Sequence, residues 1–207
     1  MVKTVVSADS QVTAQILLAG AQEILGTEGM RKIIERLSSG AGSPKDMSPG
    51  WEEKISLAQA GPFLRELETL YGATGGRGLA LRIGRAVFHY GLKHLGEQAG
   101  FRKTEFRLLP APRRLDNGLR TLARIVGDEC NSSVAVSDEG THWLWRMDRR
   151  PNDPGPQMGD PCYLIAGLLQ EFTAWAGGGR FYRVVETECQ AAGCPACVYQ
   201  IEKKPLD

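Results

Sequence analysis

Apolar residues recur at helical spacing through the first half of the chain. In residues 7–25, Val12, Ile16 and Ala19 share one face, with Leu17, Ala21 and Ile24 beside them, and the spacing predicts a helix. After Gly26, the stripe Met30, Ile33, Ile34 and Leu37 predicts a second, short helix. Residues 38–50, SSGAGSPKDMSPG, read as a linker because Ser, Gly and Pro dominate them. Residues 61–71 form a third helix, expected to end at the glycines of GATGGRG. Residues 78–95 carry two apolar stripes, Leu79, Ile83, Val87 and Tyr90 on one side and Leu81, Phe88, Leu92 and Leu95 on the other. A helix apolar on two sides is mostly buried. Ala80, Gly84 and Gly91 lie near one of its faces and offer almost no side chain. They serve either the close approach of another element or a hollow where a ligand lies against backbone.

Residues 113–126 make a clear amphipathic helix, with Leu115, Leu119, Leu122 and Val126 facing inward. The period then drops from about 3.6 to 2. SVAVS and THWLWRM alternate and are separated by DEG, which predicts a hairpin with Trp143, Trp145 and Met147 on one face. DPCYLIAGLLQEFTAWAGGG is a further helix: Asp160 caps it, Pro161 suits its first position and the triple glycine ends it. RFYRVVETEC and CVYQIEKK follow as two strands around the loop QAAGCPA. Helices, hairpin, helix, hairpin is the order of an α+β fold, with an antiparallel sheet of about four strands packed against several helices. Residues 1–50 read as a helical extension and linker, and residues 51–207 as the domain proper.

The formal net charge of +1 gives no reason to expect nucleic acid or an anionic membrane as a partner. No run of about 18 apolar residues is present to span a bilayer. The opening MVKTVVSADSQ lacks the apolar core and cleavage site of a signal peptide, which places the chain in the cytoplasm as an expectation. There, clustered cysteines point to metal or redox work before disulfides.

Three of the five cysteines, Cys189, Cys194 and Cys197, fall within nine residues. Cys162 sits in the first turn of its helix, where the partial positive charge of the helix end favours a thiolate. Cys189 and Cys197 occupy the inner ends of two paired strands. A helix docked across the sheet brings Cys162 to the same point, so these three are candidate zinc ligands. The fourth donor is either Cys194, in CPAC, or Glu186, in ETEC. Three residues separate Glu186 from Cys189, so a straight strand turns them to opposite faces and a bulge is required. Reduced thiols without metal and a redox pair at CPAC are the other readings. The redox pair lacks the helix N-terminus that such chemistry wants. Cys130 stands apart as a bystander.

Glu186, Cys189, Gly193 and Cys197, with Cys162 at the start of a preceding helix, resemble the 4-vinyl reductase domain family over roughly residues 78–204. The resemblance implies a zinc held by three cysteines and a glutamate, here Cys162, Glu186, Cys189 and Cys197. Cys194 departs from that pattern. It implies a fold similar to TRAPP-like vesicle-tethering subunits and to the sensor domains of aromatic-responsive activators, with an apolar cavity between sheet and helices. A family member linked to bacteriochlorophyll synthesis supplies the name. The function implied is a stand-alone domain that binds a hydrophobic small molecule (a hydrocarbon, an aromatic or a tetrapyrrole) as sensor or carrier. Phe88, Tyr90, Trp143 and Trp145 are the candidate lining residues, chosen for aromatic character and placement. A vinyl reductase or its accessory protein is the alternative, and a dimeric scaffold the second. The residues themselves point to no catalysis: GATGGRG follows a helix rather than a strand, so it is no dinucleotide fingerprint, and no binding motif for a hydride source is present. The stripe Met30, Ile33, Ile34 and Leu37 needs covering, either by the chain's own domain or by a second chain, and the family's tendency to pair makes a homodimer the expectation.

Overall fold

The computed structural model describes residues 8–39, 60–130, 132–149 and 162–206. Most of the linker 38–50 and the capping residues Asp160 and Pro161 lie outside the described residues. Helices α1 (Ala8–Ser39), α2 (Ala60–Leu95), α3 (Thr104–Arg107) and α4 (Ala111–Glu129) precede strands β1 (Ser132–Asp138) and β2 (His142–Arg149). Helix α5 (Cys162–Ala176) and strands β3 (Tyr182–Glu188) and β4 (Cys197–Pro205) complete the fold. The class is the α+β one expected, with a four-stranded antiparallel sheet in the order β1-β2-β4-β3.

Both long helices are broken by a glycine. Gly26 (φ 66°) divides α1 and Gly72 (φ 75°) divides α2, each in the left-handed region that a side chain disfavours. The α1 break falls where the pattern placed it. In α2 only Gly72 interrupts the helix, and the remaining glycines of GATGGRG are helical. Gly76 explains part of this run, since a Cβ there would lie 2.6 Å from the Glu68 backbone, so the two halves of α2 touch around the kink.

The layers follow from which faces are apolar. β2 and β4 turn Trp143, Trp145, Met147, Cys197, Tyr199 and Ile201 inward, in the pairs Trp143↔Ile201, Trp145↔Tyr199 and Met147↔Cys197. Helix α4 packs against β1 and α5 against β3. The inward stripe of α4, Leu115, Leu119, Leu122 and Val126, is buried as its spacing requires. On the helical side α5 meets α2, and α2 meets α1. Covered from two sides, α5 is buried almost all round from Leu164 to Leu169. The crossing of α2 and α5 is close: a Cβ on Gly84 would lie 2.0 Å from the Leu164 carbonyl oxygen, and one on Gly167 would lie 1.9 Å from that of Leu81. Gly84 therefore serves helix packing and opens no hollow.

Met30, Ile33 and Ile34 are buried within the chain, in one core cluster with Phe63, Leu64 and Leu67 of α2. The chain's own fold covers the stripe that was a candidate dimer face. No helix among the described residues is long and apolar enough to cross a membrane.

Candidate metal centre and apolar cavity

Four side chains converge where α5 begins and β3 and β4 meet. One ligand atom each from Cys162, Glu186, Cys189 and Cys197 lie within 4.8 Å of one another. Cys162 opens α5 and Cys197 opens β4, and both are buried. Cys162 Sγ is 3.5 Å from Cys189 Sγ and 3.7 Å from Cys197 Sγ. A tetrahedral site with metal–sulfur bonds of ~2.3 Å has sulfur–sulfur edges of about 3.8 Å. The three thiols thus stand near the spacing of zinc ligands without being bonded to one another, and all are free cysteines.

The sheet puts Glu186 into this set by an irregularity. Glu186 pairs with Tyr199, yet Glu188 pairs with Val198, so Thr187 is an extra residue on β3. That bulge reverses the alternation between Glu186 and Cys189, as the spacing of ETEC demanded. A short turn at Gln190–Ala192 and Gly193 (φ 93°) then lead the chain back towards β4. The Gln190 amide donates to Cys197 Sγ over 3.4 Å, and its side-chain amide donates to the Pro195 carbonyl over 2.8 Å. Tyr199 Oη donates to the Cys162 carbonyl at 3.0 Å, tying the start of α5 to the sheet. Cys194 is half-buried and stands outside the four-donor set. Cys130 caps the far end of α4, packed beside core side chains, and burial pushes its thiol up to about 12.

Crowding sets the electrostatics. The Cys162 thiol is pushed far above its ordinary range, first by its contact with Cys197, then by burial and by the negative charge of Cys197, Glu186 and Cys189. The Cys189 thiol is raised mainly by burial. Desolvated donors of one sign hold protons unless a cation replaces them. The donor set therefore suits a borderline-soft divalent ion such as zinc.

A second feature lies deeper among the helices. A half-open apolar pocket with about 60 Å³ of free volume is bordered by α1, α2, the turn after α2, α4 and Leu168 of α5. Its wall is apolar apart from Thr13 and Glu129. Gly91 forms part of it, and a Cβ there would meet nothing within 4 Å. Phe88 and Phe101 stiffen one side, joined edge to face or tilted with Phe172 and Trp175 at 5.7–6.0 Å between ring centres.

Of the four aromatic residues expected to line a pocket, Phe88 alone borders this cavity. Tyr90 is half-buried and bonds Glu23 of α1, which raises its hydroxyl above the ordinary range. Trp143 and Trp145 belong to the sheet's inner face; Trp143 Nε1 donates to Asp116 Oδ1 at 3.1 Å. Ile16, Leu122 and Val126, read only as core positions in the sequence, line the cavity instead.

No family model matches the chain, and no curated protein matches it. Solved structures do share its fold. An H-NOX protein from S. oneidensis in the Fe(II)NO ligation state is 10% identical, over 93% of this chain and 99% of that one, with a TM-score of 0.58. A structure from a study of heme distortion in the H-NOX family is 11% identical, over 92% of this chain and 95% of that one, with a TM-score of 0.54. The phenol-responsive sensory domain of the transcription activator PoxR, with phenol, is 20% identical over 72% of this chain and 74% of that one, at a TM-score of 0.48. At these identities the H-NOX likeness is one of fold.

Heme does not suit the cavity. Its residues include no His, Cys, Met or Tyr to hold iron, and about 60 Å³ is small against the ~300–1,000 Å³ of ordinary ligand pockets. His89 and His94 are exposed, and His142 lies at the hairpin.

Proposed function

We propose that this chain is a cytoplasmic sensor or carrier domain that binds a hydrophobic small molecule, with a structural zinc held by Cys162, Glu186, Cys189 and Cys197. The observation that carries the binding role is the apolar cavity, open to the Gly91 backbone and walled by packed rings. Cores ordinarily fill such space, and one that stays apolar stays dry and takes apolar guests. The zinc reading rests on four donor atoms within 4.8 Å of one another, with Cys162 Sγ at 3.5 and 3.7 Å from the other two sulfurs. Such a site contributes directly to folding, since its metal binds the folded chain and not the unfolded one. Reduced thiols of this kind belong in a reducing compartment. The 4-vinyl reductase resemblance agrees with this donor set. Neither catalysis nor a homodimer is needed by the reading, and the α1 stripe offers no dimer face.

The test is binding of toluene and cyclohexane to the purified protein by thermal shift and native mass spectrometry. Stabilisation that grows with probe concentration, and is lost in Gly91→Leu, is expected. No shift with either probe, in a protein whose Gly91→Leu variant is also unchanged in stability, refutes the cavity as a site.

One observation favours a second location for the ligand. Trp145 Nε1 is a buried donor without an acceptor among the described residues, and Trp145 is fully buried. An aromatic guest bearing an oxygen acceptor would satisfy it. In that case phenol, not toluene, would quench the tryptophan fluorescence, and Trp145→Phe would abolish the difference.

A further inference from the structure

The loop QAAGCPA carries a thiol that the metal centre leaves over. Cys162, Cys189 and Cys197 converge with Glu186, while Cys194 is a free, half-buried cysteine outside that set. The fold nevertheless holds Cys194 beside one of the three. Its N–H donates to the Cys189 carbonyl over 3.1 Å, and the Ala192 N–H donates to the same oxygen over 3.0 Å. The turn at Gln190–Ala192 and the left-handed Gly193 (φ 93°) fold the chain back to make these bonds. With standard backbone dimensions, such a hydrogen bond keeps the two α-carbons within ~7 Å, close to the ~4.4–6.8 Å that a disulfide spans. The Gln190 side chain pins the loop further through the Pro195 carbonyl at 2.8 Å.

The thiols differ in access. Cys162 is 3% exposed and Cys197 1%, whereas Cys189 and Cys194 are both half-buried. An oxidant from solvent therefore meets Cys189 first among the candidate ligands. The Cys162 sulfur lies 3.5 Å from it, but as a metal ligand that sulfur has its lone pair on the ion. The Cys194 thiol stands outside the donor set.

Taking the zinc reading of the cluster, we propose that Cys189 and Cys194 are an oxidation site for hydrogen peroxide, with Cys194 as the resolving thiol. The Cys189 thiolate attacks one peroxide oxygen, the O–O bond breaks, hydroxide leaves and Cys189 becomes a sulfenic acid. The Cys194 sulfur then attacks the Cys189 sulfur. The S–S bond forms, the S–O bond breaks, and the oxygen leaves as water with the Cys194 proton. Two electrons pass from the thiols to the peroxide. A disulfide sulfur is no thiolate, so the site loses a ligand and releases its metal. Capture by Cys194 keeps the change reversible, because it intercepts the sulfenic acid before more peroxide carries it to the irreversible sulfinic acid.

The test treats zinc-loaded protein with hydrogen peroxide, follows zinc release with a chromogenic chelator and sequences the tryptic peptides by mass spectrometry. Cys189, Cys194 and Cys197 share the peptide of residues 184–203, and Cys162 lies on another. A Cys189–Cys194 disulfide is expected within that peptide, with about one zinc released per disulfide and full reloading after dithiothreitol. Cys194→Ser should instead accumulate Cys189 sulfinic acid and fail to reload. A cross-link between Cys162 and Cys189, zinc release with Cys194 still reduced, or equal reloading of variant and wild type overturns the proposal. A Cys189–Cys194 disulfide in a protein that takes up no zinc at any stage overturns the zinc reading and leaves the pair standing.

Discussion

Gly84 and Gly91 sit two turns apart on α2, and the structure gives them opposite work. At Gly84 a methyl group would strike the Leu164 carbonyl oxygen at 2.0 Å and the Leu168 amide nitrogen at 3.0 Å. Both are helix backbone, so the side chain cannot be accommodated by a rotamer change; α2 and α5 must separate. Overpacking of this kind costs about 1–3 kcal/mol, and the upper part of that range applies where two backbones are in contact. Alanine's helix preference over glycine, about 1 kcal/mol, offsets part of it. Gly84→Ala should therefore destabilise by about 1–2 kcal/mol. At Gly91 the same methyl group meets nothing within 4 Å and points into the apolar cavity. The helix preference then stands alone, and Gly91→Ala should stabilise by up to about 1 kcal/mol. For a domain of this size about 1 kcal/mol moves Tm by roughly 2–4 °C. Thermal melts followed by circular dichroism should thus put the two variants about 2–12 °C apart, Gly91→Ala above wild type and Gly84→Ala below. Equal melting points, or a Gly84→Ala variant as stable as wild type, would refute the close crossing. A destabilised Gly91→Ala would refute the open space.

Metal analysis after exhaustive dialysis should find about one zinc per chain, with Cys162→Ala prone to aggregate and Cys130→Ala nearly neutral. Glu186→Gln should weaken zinc retention more than Cys194→Ser, and the reverse ranking would give the fourth position to Cys194. Burial and crowding raise the Cys162 and Cys189 thiols, so the metal-free protein holds their protons at neutral pH and zinc loading must release them. An indicator-dye titration should record that release, and zinc affinity should fall as pH falls; loading without protons would exclude thiolate ligation. Asp116→Ala strands the buried Trp143 N–H and should cost about 1–3 kcal/mol in urea unfolding. A change of only a few tenths would mean that water takes the acceptor's place.

The fold was readable because its elements are strongly patterned. The break at Gly26, the inward stripe of α4 and the alternating face of β2 each appear where spacing alone puts them. Three thiols of the cluster could be read because cysteines are rare and their elements converge, but the residues alone left the fourth donor open between Cys194 and Glu186; only the family resemblance pointed to Glu186, whose place beside the thiols needs the bulge at Thr187. The cavity was harder to read. Ala80, Gly84 and Gly91 form one group in the sequence, but their separation depends on where α5 crosses, and that is set by Gly167, far along the chain. Trp143 and Trp145 are large and adjacent to the core, and nothing local distinguishes a ring that lines a void from one that fills it. The apolar wall is built from ordinary core residues such as Ile16 and Val126, which carry no chemical signal of a site. The covering of Met30, Ile33 and Ile34 by α2 is likewise a long-range fact, beyond the reach of helical periodicity.

Helix α5 carries both features, and that makes them interdependent. Its first residue, Cys162, is a candidate metal ligand, and Leu168, six residues on, borders the cavity. At about 1.5 Å per residue the two are roughly 9 Å apart along one rigid element. Between them lies the close crossing with α2 at Gly167, which fixes the height of Phe88 and Gly91 relative to α5. On the zinc reading, withdrawal of the metal would leave two buried thiols, the half-buried Cys189 and a carboxylate to separate or take up protons, and the first turn of α5, which carries Cys162, would have to respond. Removing the metal should then weaken binding of a given apolar probe by about 5–150-fold, the usual range for coupled sites, and by linkage the probe should slow zinc loss to a chelator in the same proportion. Calorimetric titration of toluene into zinc-loaded and metal-free protein measures the first effect, and chelator kinetics with and without toluene the second. Identical affinities in a metal-free protein that keeps its helical circular dichroism would mean that the clamp and the cavity are independent, and that α5 is held in place by its packing alone.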